Sequence, residues 1–342
     1  MIYPSVSILT ITYNPDVSVF RRSLESIRKQ KYPKAKIEHI VVDGGSKSDI
    51  ISLAKEYGCI VIVRKDLRDQ SEARRSYAVR KAKNEIVFWL ESDNILQDEN
   101  TLKELVQPFH DDPKILSTFT LHYGLNPHAS ILDRYCALFG ASDPVVMYLQ
   151  KADREPWYRD QSNKGKIVKH TDSYDIVEFT QDNLPTVGDN GFLTRRDILL
   201  KANISPQEYV HIDIYVDLLK FGYNRFGVVR STAIEHEIGK SLIRLVQRRV
   251  LYAQRFTLSD AYIQKRRYFI FSLHSWRDRL HLLKFIFSTV TFIEPLIVSI
   301  RGFIIIRDIA WFYHPIVCLL FLVYYMRYTF QSGDNLKRIT SI

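Results

Sequence analysis

Apolar and polar positions take turns along the first hundred residues in a way that predicts strands alternating with helices. Residues 6–12 form a short, β-branched, mostly apolar run that reads as a buried strand. Asp16 stands before a helical pattern over 17–29, whose apolar face is Phe20, Leu24 and Ile27, and is placed to cap it. Residues 37–42 make a second apolar run, and Ser46 or Ser48 can cap a helix reaching Tyr57, with Gly58 as its stop. A third strand follows over 59–63 and a basic helix over 71–83. Five apolar residues in a row, 86–90, then read as a strand buried on both faces. Short connections between these elements predict an α/β fold with a right-handed, mostly parallel sheet.

Carboxylates fall where these strands end. Asp43 follows the second strand, and Glu91 and Asp93 follow the fourth, one residue apart. Alternate residues of an extended chain point the same way, so both can face one point past the strand's carboxyl end. Open α/β sheets bind ligands at that edge. Hard oxygen ligands there suit Mg²⁺ or Mn²⁺ bridging to phosphate oxygens. Asp43, ahead of Gly44-Gly45-Ser46, can accept the ring N–H of a base or cap a turn. Arg74, on the basic helix, can pair with a diphosphate.

The second half of the chain shifts the picture toward a surface. Of a net charge of +10, residues 240–342 carry 16 lysines and arginines against five acidic residues, a surplus of +11, and they also hold the longest apolar runs. Basic charge beside apolar surface favours an anionic membrane face over nucleic acid. Residues 241–268 have a basic amphipathic pattern. The apolar segment 285–306 contains Glu294, Pro295 and Arg301 and is expected to lie in the interface or fold back, because charges at mid-bilayer are costly. Residues 309–326 carry no formal charge and reach the length of a candidate span, although their aromatic load suits an interfacial anchor equally. The run 151–166 reads as an exposed loop, a candidate lid. Three widely spaced cysteines give neither a metal spacing nor a disulfide framework, which suits a reducing compartment, and the N-terminus shows no secretory signal.

Taken in order, Ser7-Ile8-Leu9-Thr10-Ile11-Thr12-Tyr13-Asn14, Ser26-Ile27 with Gln30 and Tyr32-Pro33, Ile40-Val41-Val42-Asp43-Gly44-Gly45-Ser46, Ala73-Arg74 and Phe88-Trp89-Leu90-Glu91-Ser92-Asp93-Asn94 resemble a family 2 glycosyltransferase of GT-A fold. The resemblance covers about residues 4–240 and leaves 241–342 as a helical, membrane-associating region. It implies an inverting, metal-dependent transfer of a hexose from a UDP- or GDP-sugar. Thr12, Tyr13, Asn14, Asp43, Gly44, Arg74 and Ser92 would then line the donor site. Asp93, with Glu91 and His236, would hold Mg²⁺ or Mn²⁺. Three departures stand out: Glu91 and Arg75 replace the family's usual Asp and Asn, and Gly44 stands where a second Asp is common.

The segment Thr186-Val187-Gly188-Asp189-Asn190-Gly191-Phe192-Leu193 with Arg195-Arg196 is similar to the family's acceptor side, which involves Gly188, Asn190, Arg195 and Arg196. Aligned on Gly222-Tyr223, the family's catalytic Asp falls at His211, while Asp213 matches a later acidic position. Asp213 is the expected base, with His211 and Asp189 as alternatives. Gln264, Arg267 and Tyr268 resemble the Gln-x-x-Arg-Trp element of membrane-bound processive synthases, with Tyr in place of Trp. The expected acceptor is a lipid-linked glycan at the cytoplasmic face of a membrane, with peripheral, monotopic or single-span attachment. A polyprenyl-phosphate acceptor held by Arg195, Arg196 and the tail arginines, or a non-catalytic nucleotide-sugar-binding subunit, are the alternatives.

Overall fold

The computed structural model describes residues 3–256, 259, 263–331 and 333–340. Its strands are β1 (Val6–Thr12), β2 (Ile37–Asp43), β3 (Ile60–Val63), β4 (Ile86–Trp89), β5 (Asn94–Leu96), β6 (Ile115–Thr120), β7 (Lys166–His170), β8 (Tyr174–Glu178), β9 (Phe192–Arg195), β10 (Arg225–Val229) and β11 (Ile234–His236). The described chain forms a main sheet of order β3-β2-β1-β4-β9-β6-β10-β8-β7 and a separate β11-β5 ribbon. Strands β1 to β4 run parallel, as the alternation predicts, and every residue of β1 is buried. Strand β9 then enters antiparallel between β4 and β6, which makes the sheet mixed.

Helices α1 (Val17–Arg28), α2 (Ser48–Glu56), α3 (Ser71–Lys81) and α4 (Thr101–Asp111) connect the first strands. Asp16 caps α1, accepting from the backbone N–H of Ser18 and Val19, a contact worth about 1 kcal/mol. The expected serine cap on α2 is corrected. Ser46 Oγ donates instead to Asp43, and it is Asn14 Oδ1 that accepts from Lys47 N at the start of α2. A buried carboxylate competes better for that hydroxyl than a helix end does.

Helices α5 (Ile131–Phe139), α6 (Pro144–Tyr148), α7 (Arg196–Leu199), α8 (His211–Lys220), α9 (Leu242–Phe256), α10 (Trp276–Thr291), α11 (Ile293–Ile305), α12 (His314–Gln331) and α13 (Gly333–Thr340) complete the described set. The chain divides into two compact units. One joins residues 1–124 to 165–237 and holds both sheets. The other joins residues 125–164 to 238–342 and is helical. The expected boundary near residue 240 therefore lies at 237/238, and the helical unit takes a second segment that sequence reading left with the sheet.

Residues 151–166 correct the lid expectation. Ala152, Arg154, Glu155 and Lys164 are buried, and the Glu155 carboxylate accepts from Lys164 Nζ at 2.5 Å and from Arg159 at 2.8 Å. Charged residues at such density read as solvated until packing pairs them. Within the same unit, Leu132, Tyr135, Phe139, Leu245, Val246, Trp311, Val317 and Phe321 share a core. The segment 285–306 is broken at Phe292 (φ +58°), where α10 and α11 meet at 82°. Part of the expected amphipathic stretch 241–268, namely residues 257–258 and 260–262, lies outside the described residues.

Candidate active site

The carboxyl ends of β1, β2 and β4 bring the candidate residues to one edge of the sheet. Thr12 and Asp43 are register partners, and Thr12 Oγ1 donates to Asp43 Oδ2 at 2.8 Å. The other Asp43 oxygen accepts from Gly45 N and Ser46 N, each at 2.7 Å. Asp43 is thereby buried, with both carboxylate oxygens accepting hydrogen bonds. Asn14 adopts φ +44°, a conformation Asn tolerates better than most residues, and its backbone N–H donates to Ser46 Oγ at 2.7 Å. Tyr13 stays exposed, with the Arg68 guanidinium over its ring at 5.3 Å.

Arg74 is buried rather than solvated. Its Nη1 donates to the carbonyls of Leu67 (2.8 Å) and Arg68 (2.5 Å). Among the described residues its Nε is buried without a hydrogen-bond partner. The departure at Gly44 has a steric reason here: a Cβ on residue 44 would stand 2.5 Å from Arg74 Nη1. Glycine is what lets the guanidinium lie against this loop.

Beyond β4 the chain does not stay extended. Asn94 N donates to Glu91 O at 3.0 Å, closing a turn through Ser92 and Asp93, so the two carboxylates take different partners. Glu91 Oε1 lies 2.7 Å from Arg75 Nη2, an ion pair beneath the surface. Asp93 Oδ2 lies 3.7 Å from His236 Nε2. That second pairing is set by β11, whose His236 is the register partner of Asn94 on β5. Glu237 N donates to Asp93 O at 2.9 Å, and the Glu237 carboxylate takes both Arg22 Nη atoms at 2.5 and 2.6 Å. Of the expected cation ligands, Asp93 and His236 are adjacent, while Glu91 lies against Arg75.

Strand β9 explains how the acceptor-like segment arrives. Phe192 is the register partner of Trp89, and Gly191 N donates to Trp89 O at 2.7 Å, which sets Asp189 and Asn190 beside the turn. Asn94 Nδ2 reaches Asn190 Oδ1 at 3.3 Å, and Asp189 Oδ2 lies 3.8 Å from both Arg75 Nη2 and His211 Nε2. Glu72 on α3, which sequence reading did not single out, accepts from His211 N (3.0 Å) at the start of α8 and pairs with His211 Nδ1 at 2.8 Å. Burial opposes the charge on Glu72, but His211 and Arg75 outweigh it and hold its pKa down at about 2. Burial likewise opposes charge on His211, and Glu72 and Asp189 raise its pKa above the ordinary imidazole value. Arg75 follows the same logic, with burial overcome by Glu91, Glu72 and Asp189.

Six further expected residues take other places. Asp213 sits in the first turn of α8 with 0% exposure. Arg195 is the register partner of Ile86, at the amino end of β4, and donates to the carbonyls of Ile115 (2.8 Å) and Phe109 (2.9 Å). Arg196 N donates to Glu85 O at that same far edge, so this pair tethers backbone away from the donor rim. Gln264, Arg267 and Tyr268 belong to the helical unit, where Tyr268 is buried with Lys151 Nζ over its ring at 5.8 Å.

A mixed, mostly parallel sheet whose first strands end in this acidic and basic rim defines the GT-A class of nucleotide-sugar-binding domains. Residues 7–198, more than half of the chain, match the family described as Glycosyl transferase family 2, and the chain belongs to that family. An uncharacterized glycosyltransferase of Mycobacterium tuberculosis is 45% identical over 49 residues, 14% of this chain and 18% of the relative. The O-antigen chain rhamnosyltransferase RfbN of Salmonella typhimurium is 32% identical over 108 residues, 31% of this chain and 33% of the relative. The matched stretches thus span a third or less of those relatives. The mannosyltransferase PcManGT from Pyrobaculum calidifontis, solved with GDP-Man and Mn²⁺, shares the fold at a TM-score of 0.52 and 13% identity. That similarity covers 96% of this chain and 88% of the other.

Proposed function

We propose that the protein transfers a hexose from a nucleoside diphosphate sugar, with inversion and with help from a divalent cation, to an acceptor carried on a membrane. One observation carries the reading: Asp43 and Asp93 follow strands that end at one rim of the sheet, with His236 beside Asp93 and Arg74 lying against the Gly44 loop, a set suited to a base, a diphosphate and a cation. Asp43, whose oxygens take Thr12, Gly45 and Ser46, fixes the loop that the base lies against, with Asn14 bonded to the same loop. The buried Nε–H of Arg74 has no hydrogen-bond acceptor among the described residues and is available to a diphosphate oxygen. Asp93 and His236 fit Mg²⁺ or Mn²⁺ as a partial set. Among the described residues no group of three or more His, Cys, Asp or Glu makes a complete cage, as suits an ion that takes its remaining ligands from phosphate oxygens. Such an ion, when bound, offsets charge building on the leaving diphosphate.

For the base, Asp189 replaces the expected Asp213. Its side chain is 24% exposed, whereas Asp213 has no open face from which to reach a hydroxyl. His211, whose Nδ1 is taken up by Glu72 and whose pKa Glu72 and Asp189 raise against burial, stands 3.8 Å from Asp189 as its charged neighbour. The rhamnosyltransferase relative and the GDP-Man complex of the mannosyltransferase support a role in glycan assembly. The polyprenyl-phosphate alternative loses support, because Arg195 and Arg196 stand at the opposite edge.

The test incubates purified protein with a panel of UDP- and GDP-sugars and Mn²⁺ or Mg²⁺, reading donor turnover. Asp93→Ala is expected to reduce turnover by roughly a hundredfold or more while nucleotide still stabilises the fold. Undiminished turnover in that variant would remove the cation from the reading, and binding without turnover in the wild type would favour a non-catalytic subunit.

A further inference from the structure

The helical unit turns large apolar side chains outward in a regular pattern. On α10 the exposed ones are Trp276, Leu280, Leu283, Phe287 and Val290. On α11 they are Ile293, Leu296, Ile297, Ile300 and Ile304, and on α12 Ile316, Leu319, Val323, Met326 and Phe330. Phe287 is 68% exposed and Phe330 70%. Steps of three and four residues put each set on one narrow stripe, on α10 an arc of about 80°. Exposed Arg277 and Lys284 border the α10 stripe on one side and Arg279 on the other. The three helices pack on one another; the inner faces of α11 and α12 join the core described above, and Phe285 of α10 packs with Cys318 and Leu322 of α12. Monomeric soluble proteins rarely leave so many large apolar side chains bare on adjoining helices. A stripe of this kind rimmed by Lys and Arg fits an anionic lipid surface.

We propose that the outward stripes of α10, α11 and α12 lie in one leaflet of an anionic bilayer, without crossing it. The proposal names the partner surface that the membrane-borne acceptor of the preceding reading requires. Length and composition alone would let α12 span, since 18 residues rise about 27 Å. Packing argues otherwise. Near its start, His314 Nδ1 is bonded to Tyr135 Oη on α5 at 2.9 Å. Eleven residues on, Tyr325 Oη donates at 2.5 Å to Asp143, the residue that caps α6. Tyr135 and Asp143 are eight positions apart in one buried segment, so both halves of α12 are tied to the same side. Its inner face, Val317 and Phe321, is already filled by α5 and α9 residues. At the break between α10 and α11, Glu294 is paired with Lys284 at 2.9 Å and accepts from Ser288 Oγ at 2.8 Å. Its charge is compensated where the two helices turn.

The test uses the full chain with sealed vesicles of phosphatidylcholine, with and without phosphatidylglycerol. Cosedimentation is expected with the anionic vesicles and should weaken with salt. Brominated lipid should quench a tryptophan signal that disappears in Trp276→Phe. Phe287→Glu, Ile297→Glu and Val323→Glu are each expected to weaken partition about tenfold or more, with the unfolding temperature little changed because each position is exposed. Should a charge disturb folding, Phe287→Asn and Ile297→Asn carry the same expectation. Cysteines placed at Arg307 and Gln331, exposed positions off the stripes at the two ends of the segment 309–331, should react equally with a membrane-impermeant maleimide. Protection of one end would mean a span and overturn the proposal, as would a chain that ignores anionic vesicles and buries these stripes in a dimer seen by light scattering. Binding is read without donor sugar, so the two readings fail separately: an active protein that ignores vesicles sinks this one alone, and a vesicle-bound protein without turnover sinks only the transfer.

Discussion

Glu72 links two helices and three charges, although in Ser-Glu-Ala-Arg-Arg it looks like any acidic residue of a helix's first turn. Its oxygens take the backbone and ring N–H of His211, 139 positions away. The pair gives stability a defined pH window. Glu72, with its pKa lowered to about 2, contributes above its unfolded value of about 4.5 and loses that contribution as pH falls. His211, with its pKa raised, contributes at low pH and loses it as pH climbs through the folded value. Both act together from about pH 4.5 up to the raised imidazole pKa. Glu72→Gln is expected to cost roughly 3–5 kcal/mol in that window, because it strands a buried cation. Urea denaturation of both proteins at about pH 6 and pH 9 should show the gap narrowing at the higher pH. A constant gap would mean that His211 is not the charged partner.

At the scale of elements, β9 decides where the acceptor-side residues go. The loop before it needs three positive φ angles in a row of four, at Gly188 (+109°), Asn190 (+48°) and Gly191 (+92°), to turn from Asp189 back into the sheet beside β4. A Cβ at Gly188 would stand 2.6 Å from Tyr215 Cε2 on α8. Gly188→Ala is therefore expected to destabilise by about 1–3 kcal/mol. It should also depress turnover more than nucleotide binding, because Asp189 moves while Asp43 does not. Thermal unfolding and a KM-against-kcat comparison check both. Elements β1 to β4 and α1 to α3 were readable because apolar period, a capping Asp and a stopping Gly are local signals. The turn at Ser92–Asp93 was not, since only the β5–β11 pairing shows that the extended run has ended.

For the whole molecule, the informative residues are those joining the helical unit across the chain. Glu155, placed among Lys164, Arg159 and buried neighbours, reads locally as part of a solvated loop. Glu155→Ala is expected to cost about 3–5 kcal/mol by leaving Lys164 buried and unpaired. The sheet unit should still bind nucleotide, which denaturation followed by a nucleotide-binding titration would separate. Loss of both together would mean that the units fold as one.

By itself the sequence determined the parallel order of the first strands and which residues close them, because strand period and direction put Thr12, Asp43 and Asp93 at one rim wherever such a sheet forms. It also determined the surplus of charge and apolar surface in residues 240–342. Tertiary structure alone decided which partner each carboxylate meets: Glu91 with Arg75, Asp93 with His236, Glu72 with His211. It alone buried Asp213, sent Arg195 to the far edge and folded residues 125–164 in with the tail. The reason is that side-chain partners chosen across scores of residues depend on how elements pack, and no local pattern along the chain encodes that distance.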